Sequence, residues 1–442
     1  MIQYYFIIHL LKSKIKKGMT NMSKISVAIA GAGISGLCLA HSLLRAGFDV
    51  QIYERDPAPH ARRQGYRITL DEHGIAGLQR CLPPHLFQLF LATTSPTDEI
   101  GYMRITNQNL GEVFRFAFQG DPSGTDLRTP RQADRQTLRT IMLEGLRDRV
   151  HFGKAAVRAE TTSDGTTLHF SDGSRVHASL VVGADGVNSA LRQSFLPDCE
   201  PEDTDRWAIY GRTLLFQNGR SIVPRPLKTS GVFAIGPSSR GFFFTTMNFR
   251  ESPQTAFPRF GMDQIPPITD DYVMWALLLP KEQFPEPQGK PRSEMLQQLA
   301  LKAAQDFHPV LRRFVEQSDL DYTMAVTIKA AKKPAAWPVS RLAFMGDAVH
   351  VMPPTGSHGG NTALRDAALL AEKLKTAAIE GTPLEKAVAF YQEEMSKYAF
   401  REVEASKTML KRFTIKNPLM NWVMLRAIPR IRSWSNKSLT AE

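Results

Sequence analysis

The chain has 442 residues, 43% of them hydrophobic, and a net charge of +12 from 55 Lys and Arg against 43 Asp and Glu. At roughly 100 to 200 residues per domain, that length accommodates two or three packed units, and the composition can fill a core, which excludes a disordered or fibrous chain. The basic residues are scattered and form neither an RNA-binding signature nor zinc-finger spacing, so no nucleic acid is expected as a partner and anionic cofactors are the expected use of the charge.

Residues 1–22 open on the apolar run IQYYFIIHLL, followed rather than preceded by the lysines of KSKIKKG. That order is wrong for a secretion signal, and the run falls well short of the roughly 20 apolar residues a spanning helix needs. Met19 and Met22 stand just before the first patterned strand, so 1–22 reads as an N-terminal arm or an upstream start. Cys38, Cys81 and Cys199 are odd in number and far apart, which supports neither a disulfide framework nor a metal site and points to a reducing, cytoplasmic compartment.

Segment 24–53 reads as a β-run, a glycine turn, a helix, a stop at Gly47 and a second β-run, which is a βαβ unit. In GAGISG, Gly31 permits the tight turn, Gly33 lets main chain approach a pyrophosphate, and Gly36 lets helix pack on strand. The helix start offers free amides to the phosphates. Glu54 closes the next strand, where an acid accepts hydrogen bonds from the adenosine ribose. Strand, loop, helix and acid together predict a dinucleotide site.

Residues 134–150 carry Leu138, Ile141, Met142 and Leu146 on one helical face, and three or four short strands follow, ending at Gly183. From about 205 to 330 the pattern is β-runs split by proline-rich loops, with 250–269 read as one long loop and 293–316 as one helix. A strand at 341–346 leads into GDAVHVMPPTGSHGGNTALRDA, and helices are expected over 362–379 and 383–413. The fold class is therefore α/β: a Rossmann-like nucleotide-binding domain in pieces (24–100, 125–200, 335–380), interleaved with a β-sheet substrate domain (101–124, 201–334), then C-terminal helices (381–442). The basic, apolar tail beyond 414 is expected to pack across the two domains rather than on a membrane.

With GAGISG, GADGVNSALR and GDAVH in this order, residues 24–380 resemble the FAD-dependent aromatic hydroxylases, flavoprotein monooxygenases that include para-hydroxybenzoate hydroxylase and the polyketide-tailoring and tetracycline-inactivating enzymes. The resemblance implies FAD as cofactor, NADH or NADPH as cosubstrate, and O2 hydroxylating an aromatic or polycyclic small molecule through a flavin C4a-hydroperoxide. It further implies Asp347 on the ribityl chain, Asp185 and Gly186 serving FAD and pyridine nucleotide, Arg135 contacting FAD, Asp71 beside the flavin, and Arg62 or Arg63 meeting NADPH. Asp185 and Asp347 also suit plain helix caps.

In the GDAVH segment, a helix starting near Gly360 and Asn361 would aim its amides at the negative end of reduced flavin, and Gly356, Gly359 and Gly360 would admit a planar ring. His358 and Arg365 depart from the family pattern there, and His350 is expected to satisfy a loop carbonyl. Strand alternation sets Phe242 and Phe244 on one face, and likewise Val273 and Trp275, as a candidate substrate wall, with His358 nearby. No residue is assigned a catalytic role. A reductase or dehydrogenase on the same scaffold, or a non-catalytic flavin-binding module, fits the same motifs; a halogenase fits less well, since MWALLLP holds one tryptophan.

Overall fold

The computed structural model describes residues 25–61, 66–96, 102–117, 127, 129–227, 231–284, 292–335, 337–415 and 417. The arm 1–22, Arg62, Arg63 and the tail from 418 lie outside the described residues.

Strands β1 (Ser26–Ala30) and β2 (Asp49–Glu54) pair in parallel, and helix α1 (Ile34–Arg45) returns the chain between them, as parallel pairing requires. The chain continues through β3 (Arg67–Leu70), α2 (Glu72–Cys81), α3 (Pro84–Thr93), β4 (Tyr102–Asn107), β5 (Glu112–Ala117), β6 (Arg131–Asp134) and α4 (Arg135–Leu143). Next come β7 (Val150–Phe152), β8 (Ala156–Thr161), β9 (Thr166–Phe170), β10 (Arg175–Ala178), β11 (Leu180–Gly183) and α5 (Ala190–Phe195). The long β12 (Glu202–Leu214) is followed by β13 (Phe216–Gln217), β14 (Arg220–Ser221), β15 (Val232–Ile235), β16 (Gly241–Met247), α6 (Pro253–Arg259) and β17 (Tyr272–Pro280). Helices α7 (Ser293–Ala303) and α8 (Pro309–Glu316), strands β18 (Met324–Ala330) and β19 (Leu342–Phe344), and helices α9 (Asp347–His350), α10 (His358–Glu380) and α11 (Leu384–Phe413) complete it.

Five strands form a parallel sheet in the order β19, β11, β1, β2, β7, so segments some 150 residues apart lie side by side. Seven strands form the second sheet in the order β18, β12, β17, β16, β15, β4, β5, antiparallel except at β4 and β15. The ribbon β3–β6 is tied to the second sheet by the Tyr272 hydroxyl, which donates to Asp134 Oδ2 at 2.8 Å. Helix α10 packs against α1, α2 and α11.

Three expectations are corrected. Segment 250–269 contains α6, because Pro253 occupies the first helical turn, where its missing N–H costs nothing, and Ala256 and Phe257 are buried in the core. Residues 293–316 form two helices, broken where Pro309 starts α8 behind the His308 cap. Helix α10 begins at His358, two residues before Gly360. Among the described residues, no helix is long and apolar enough to cross a membrane.

Candidate functional site

Ala30 pairs with Gly183 and Gly183 with Phe344, so the loops after β1, β11 and β19 meet at one edge of the parallel sheet. All three sequence motifs therefore converge. Gly31 has φ +110°, and a Cβ there would overlap the Ala184 carbonyl oxygen of the second motif. A Cβ on Gly36 would overlap the Gly31 carbonyl oxygen, whereas Gly33 faces open space. Gly33 caps α1 with no side-chain hydrogen bond, and the first turn holds no acid, which leaves its amides disposed toward an anion.

Glu54 is 4% exposed, and its carboxylate accepts Ala32 N–H at 2.8 Å and Asp56 N–H at 3.0 Å. In the structure it holds the glycine loop. Arg139 does the same from the other side: its Nε donates to the Ala32 carbonyl at 2.9 Å and its Nη1 to the Pro59 carbonyl. Sequence reasoning missed Arg139; its only signal was a charge on the apolar side of a helix, one turn after Arg135.

In the second motif, Asp185 Oδ1 is buried without a hydrogen-bond partner among the described residues. Burial raises the pKa of this carboxyl, with Ser189 and nearby amides pulling it partly back. A carboxylate oxygen left so is costly unless a ligand supplies a donor. The space beside Gly186 is open. Arg192, also missed, clamps the second and third motifs, its Nη1 donating to Ala348 O at 2.9 Å and its Nη2 to Val187 O at 3.1 Å.

In the third motif, the Asp347 carboxylate accepts no hydrogen bond from a described residue and lies 3.9 Å from the Cβ position of Gly359. His350 meets a carboxylate rather than the loop carbonyl expected: its Nε2 is 2.5 Å from Asp366 Oδ2, and both residues are fully buried. Asp366 also accepts Gly346 N–H at 2.9 Å and the Tyr398 hydroxyl at 2.7 Å, while Arg365 stacks over the Tyr398 ring. Burial by itself would lower the His350 pKa, but the charge and hydrogen bond of Asp366 outweigh it and raise it. The pairing needs α10 to fold back on the motif, which no local pattern announces.

Asn361 joins β3 to α10: its Oδ1 accepts Asp71 N–H at 3.0 Å and its Nδ2 donates to Thr69 O at 3.0 Å. Asp71 caps α2 through His73 N–H at 2.9 Å and Gly74 N–H at 3.0 Å, so its carboxylate is engaged with backbone. Arg135 opens α4, and its guanidinium makes no hydrogen bond or ion pair with a described residue. Gly359 and Gly360 line the start of α10, with only Met352, Ile34 and Ile68 carbon atoms and Asp347 near their Cβ positions. His358 is turned to α11, with Nδ1 3.3 Å from Glu402 Oε2.

The expected substrate wall is corrected. Phe242, Phe244 and Trp275 are fully buried on the face covered by α7 and α8, with the ring centroids of Phe244 and Phe314 5.1 Å apart and those of Phe242 and Phe307 5.8 Å apart, both pairs tilted. The opposite face turns toward β6, through Tyr272 and Asp134. It presents half-buried Tyr210, Phe243 and Met324 beside Tyr66, Met274 and Tyr322. Met409 of α11 packs on this side and reaches to 3.5 Å from the Cβ position of Gly356.

The family described as FAD binding domain matches residues 140–406, and the NAD(P)-binding Rossmann-like domain matches 29–90. The chain belongs to the FAD-binding-domain family. It is 30% identical over 412 residues to the dual O-methyltransferase/FAD-dependent monooxygenase CTB3 of Cercospora beticola, with 87% of this chain and 46% of that one covered. It is 27% identical to the FAD-dependent monooxygenase thnD of Trichoderma harzianum, with 89% and 95% covered. The chain thus spans about half the length of the dual-function relatives. Among solved structures, a chain from Photorhabdus luminescens assigned as an FAD-containing monooxygenase matches with TM-score 0.74 at 27% identity, covering 89% and 100%. Klebsiella pneumoniae HpxO, complexed with FAD and uric acid, shares the fold with TM-score 0.72 at 18% identity, covering 92% and 93%. FAD is the cofactor, and the residues fit it: open space at Gly33 and Gly186, an oxygen of Asp185 without a hydrogen-bond partner among the described residues, and on Asp347 a carboxylate that accepts no hydrogen bond from them.

Proposed function

We propose that this chain is an FAD-dependent monooxygenase that takes NADH or NADPH and O2 as cosubstrates and hydroxylates an aromatic or polycyclic small molecule. The observation that carries the reading is the Asp347 carboxylate, which accepts no hydrogen bond from a described residue and sits where three glycine-bearing loops converge. In this reading the α1 start and Gly31, Gly33 and Gly36 hold the pyrophosphate, with Glu54 and Arg139 keeping the loop in shape. Asp347 binds the ribityl hydroxyls; Asp185 and Gly186 face the dinucleotide; Arg135 meets the cofactor; and the α10 start at Gly359, Gly360 and Asn361 faces the ring. The pieces 24–100, 125–200 and 335–380 serve the cofactor, and 101–124 with 201–334 the substrate.

When bound, FAD supplies the redox chemistry that activates O2. The protein's part is to position the substrate and exclude water. Phe243, Tyr210, Tyr66 and Tyr322 offer flat apolar surface, and the thioethers of Met274, Met324 and Met409 adapt to a bulky ring system. Burial raises the Tyr210 pKa, which keeps its phenol protonated into more alkaline solution than a free phenol. The test is direct. The purified protein is yellow, an aromatic or polycyclic substrate accelerates NAD(P)H oxidation, and labelled O2 leaves one atom in the product. Colourless protein that ignores added FAD, or oxidation with no oxygen incorporated, overturns the reading.

A further inference from the structure

Asp366, in α10, is a fully buried carboxylate with no task in the reading above. Its Oδ2 accepts two hydrogen bonds, from Gly346 N–H at 2.9 Å and from His350 Nε2 at 2.5 Å. Its Oδ1 accepts the Tyr398 hydroxyl at 2.7 Å. Gly346 precedes the single turn α9 and His350 closes it, so one oxygen grips that turn at both ends. Between them stands Asp347. Of the residues from Gly346 to His350 it alone keeps exposed surface, and the other four are buried. Its Oδ1 lies 3.9 Å from the Cβ position of Gly359, at the start of α10.

A buried carboxylate is held at a cost unless donors and a counter-charge answer it. His350 supplies both: its pairing with Asp366 outweighs burial and raises the imidazole pKa, which favours the protonated ring. Hydrogen bonds between charged partners are shorter and about twice as strong as neutral ones, so the pair resists rotation of the turn. Gly346 has φ +61° and ψ −147°, a backbone state that needs glycine, and its amide is the one Asp366 takes. From α11, Tyr398 fixes the other carboxylate oxygen, and the Tyr391 hydroxyl donates to the Phe344 carbonyl at 2.9 Å, where β19 ends. Arg365 lies 3.8 Å over the Tyr398 ring. Apolar side chains would join α10 to α11 without the cost of a buried charge. The polar arrangement is directed instead at the two ends of the turn that carries Asp347.

We propose that Asp366 is a positioning residue for the cofactor: with His350 and Tyr398 it fixes the turn Gly346–His350, so that Asp347 is presented in one orientation to the ribityl hydroxyls of FAD. This rests on the reading that sets Asp347 on the ribityl chain. A group oriented in advance binds more tightly, because the ligand does not have to order it.

The measurement is the rate at which diluted holoprotein releases FAD, followed as the return of free-flavin fluorescence. Asp366→Asn speeds release by about tenfold or more, the scale expected when a partner that orients a ligating group is removed. Asp347→Ala speeds it at least as much. The double variant Asp347→Ala/Asp366→Asn releases no faster than Asp347→Ala alone, because Asp366 acts through Asp347. His350→Gln, which keeps a neutral N–H donor for Asp366, stays near wild type, whereas His350→Ala releases as Asp366→Asn does. Effects of Asp347→Ala and Asp366→Asn that multiply in the double variant overturn the proposal and leave Asp366 a general support of the fold. So does a wild-type rate in Asp366→Asn, or His350→Gln as fast as His350→Ala. If Asp366→Asn does not fold, the same comparison made with His350→Ala, alone and with Asp347→Ala, decides. A wild-type rate in Asp347→Ala refutes the ribityl reading itself, whereas fast release from Asp347→Ala with slow release from Asp366→Asn refutes only the role of Asp366.

Discussion

The two faces of the seven-stranded sheet share strands and composition yet have opposite fates. On one face Phe242, Phe244, Trp275 and Leu277 are wholly buried beneath α7 and α8. On the other, one residue along each strand, Phe243 and Tyr210 remain half-buried, and Tyr272 reaches across to Asp134 of β6. Apolar character is therefore no guide to where a ligand sits. Incomplete burial and polar groups facing a neighbouring unit are the better marks, because a packed core leaves neither.

The contrast breaks first at its largest expected effect. Trp275→Ala should cost about 3 to 5 kcal/mol of stability by urea denaturation while leaving the KM for substrate near wild type. Little destabilisation with lost substrate saturation would reverse the assignment of the faces.

The strap between the two units is next. Tyr272→Phe removes a donor from a buried carboxylate, at a cost of about 1 to 3 kcal/mol. Burial raises the Asp134 pKa from its ordinary 3.8, and the hydrogen bonds from Thr137 and Tyr272 offset only part of this. A carboxyl with a higher pKa folded than unfolded binds its proton more tightly in the folded chain. Its contribution is therefore most favourable below the unfolded value of 3.8 and is lost as pH rises through the raised folded value. Asp134→Asn should remove that segment from a plot of stability against pH, and Tyr272→Phe should extend it to higher pH. A pH profile identical in all three proteins would show that Asp134 does not titrate there.

The smallest effect sharpens the other face. Met324→Ala should cost about 1 kcal/mol or less, yet raise KM for a bulky aromatic substrate with kcat unchanged, as loss of binding common to ground and transition states requires. An unchanged KM would move the substrate off this face.

Much of the cofactor region was legible before folding was considered. GAGISG is largely a local device: Gly36 answers to the Gly31 carbonyl within the same turn, although Gly31 itself answers to Ala184 of the second motif. Other residues were ambiguous in kind. Asp71 and Glu54 are acids in suitable places, but a carboxylate serves a backbone amide as readily as a ligand hydroxyl, and in the structure both hold backbone. Arg139, Arg192 and the His350–Asp366 pair had no local signature, since their partners come from other elements.

What the sequence by itself determined is the βαβ unit, the order of the three motifs, the α/β class, and the residues of each strand that share a face. Glycine placement and the periods of helix and strand are properties of neighbouring residues, so they survive in one dimension. Only the tertiary structure decided which face of the large sheet is core, which acids hold backbone, and that His350 pairs with Asp366. Those outcomes depend on where α7, α8, α10 and β6 come to rest, and contacts between distant segments are set by packing of the whole chain rather than by any stretch of it.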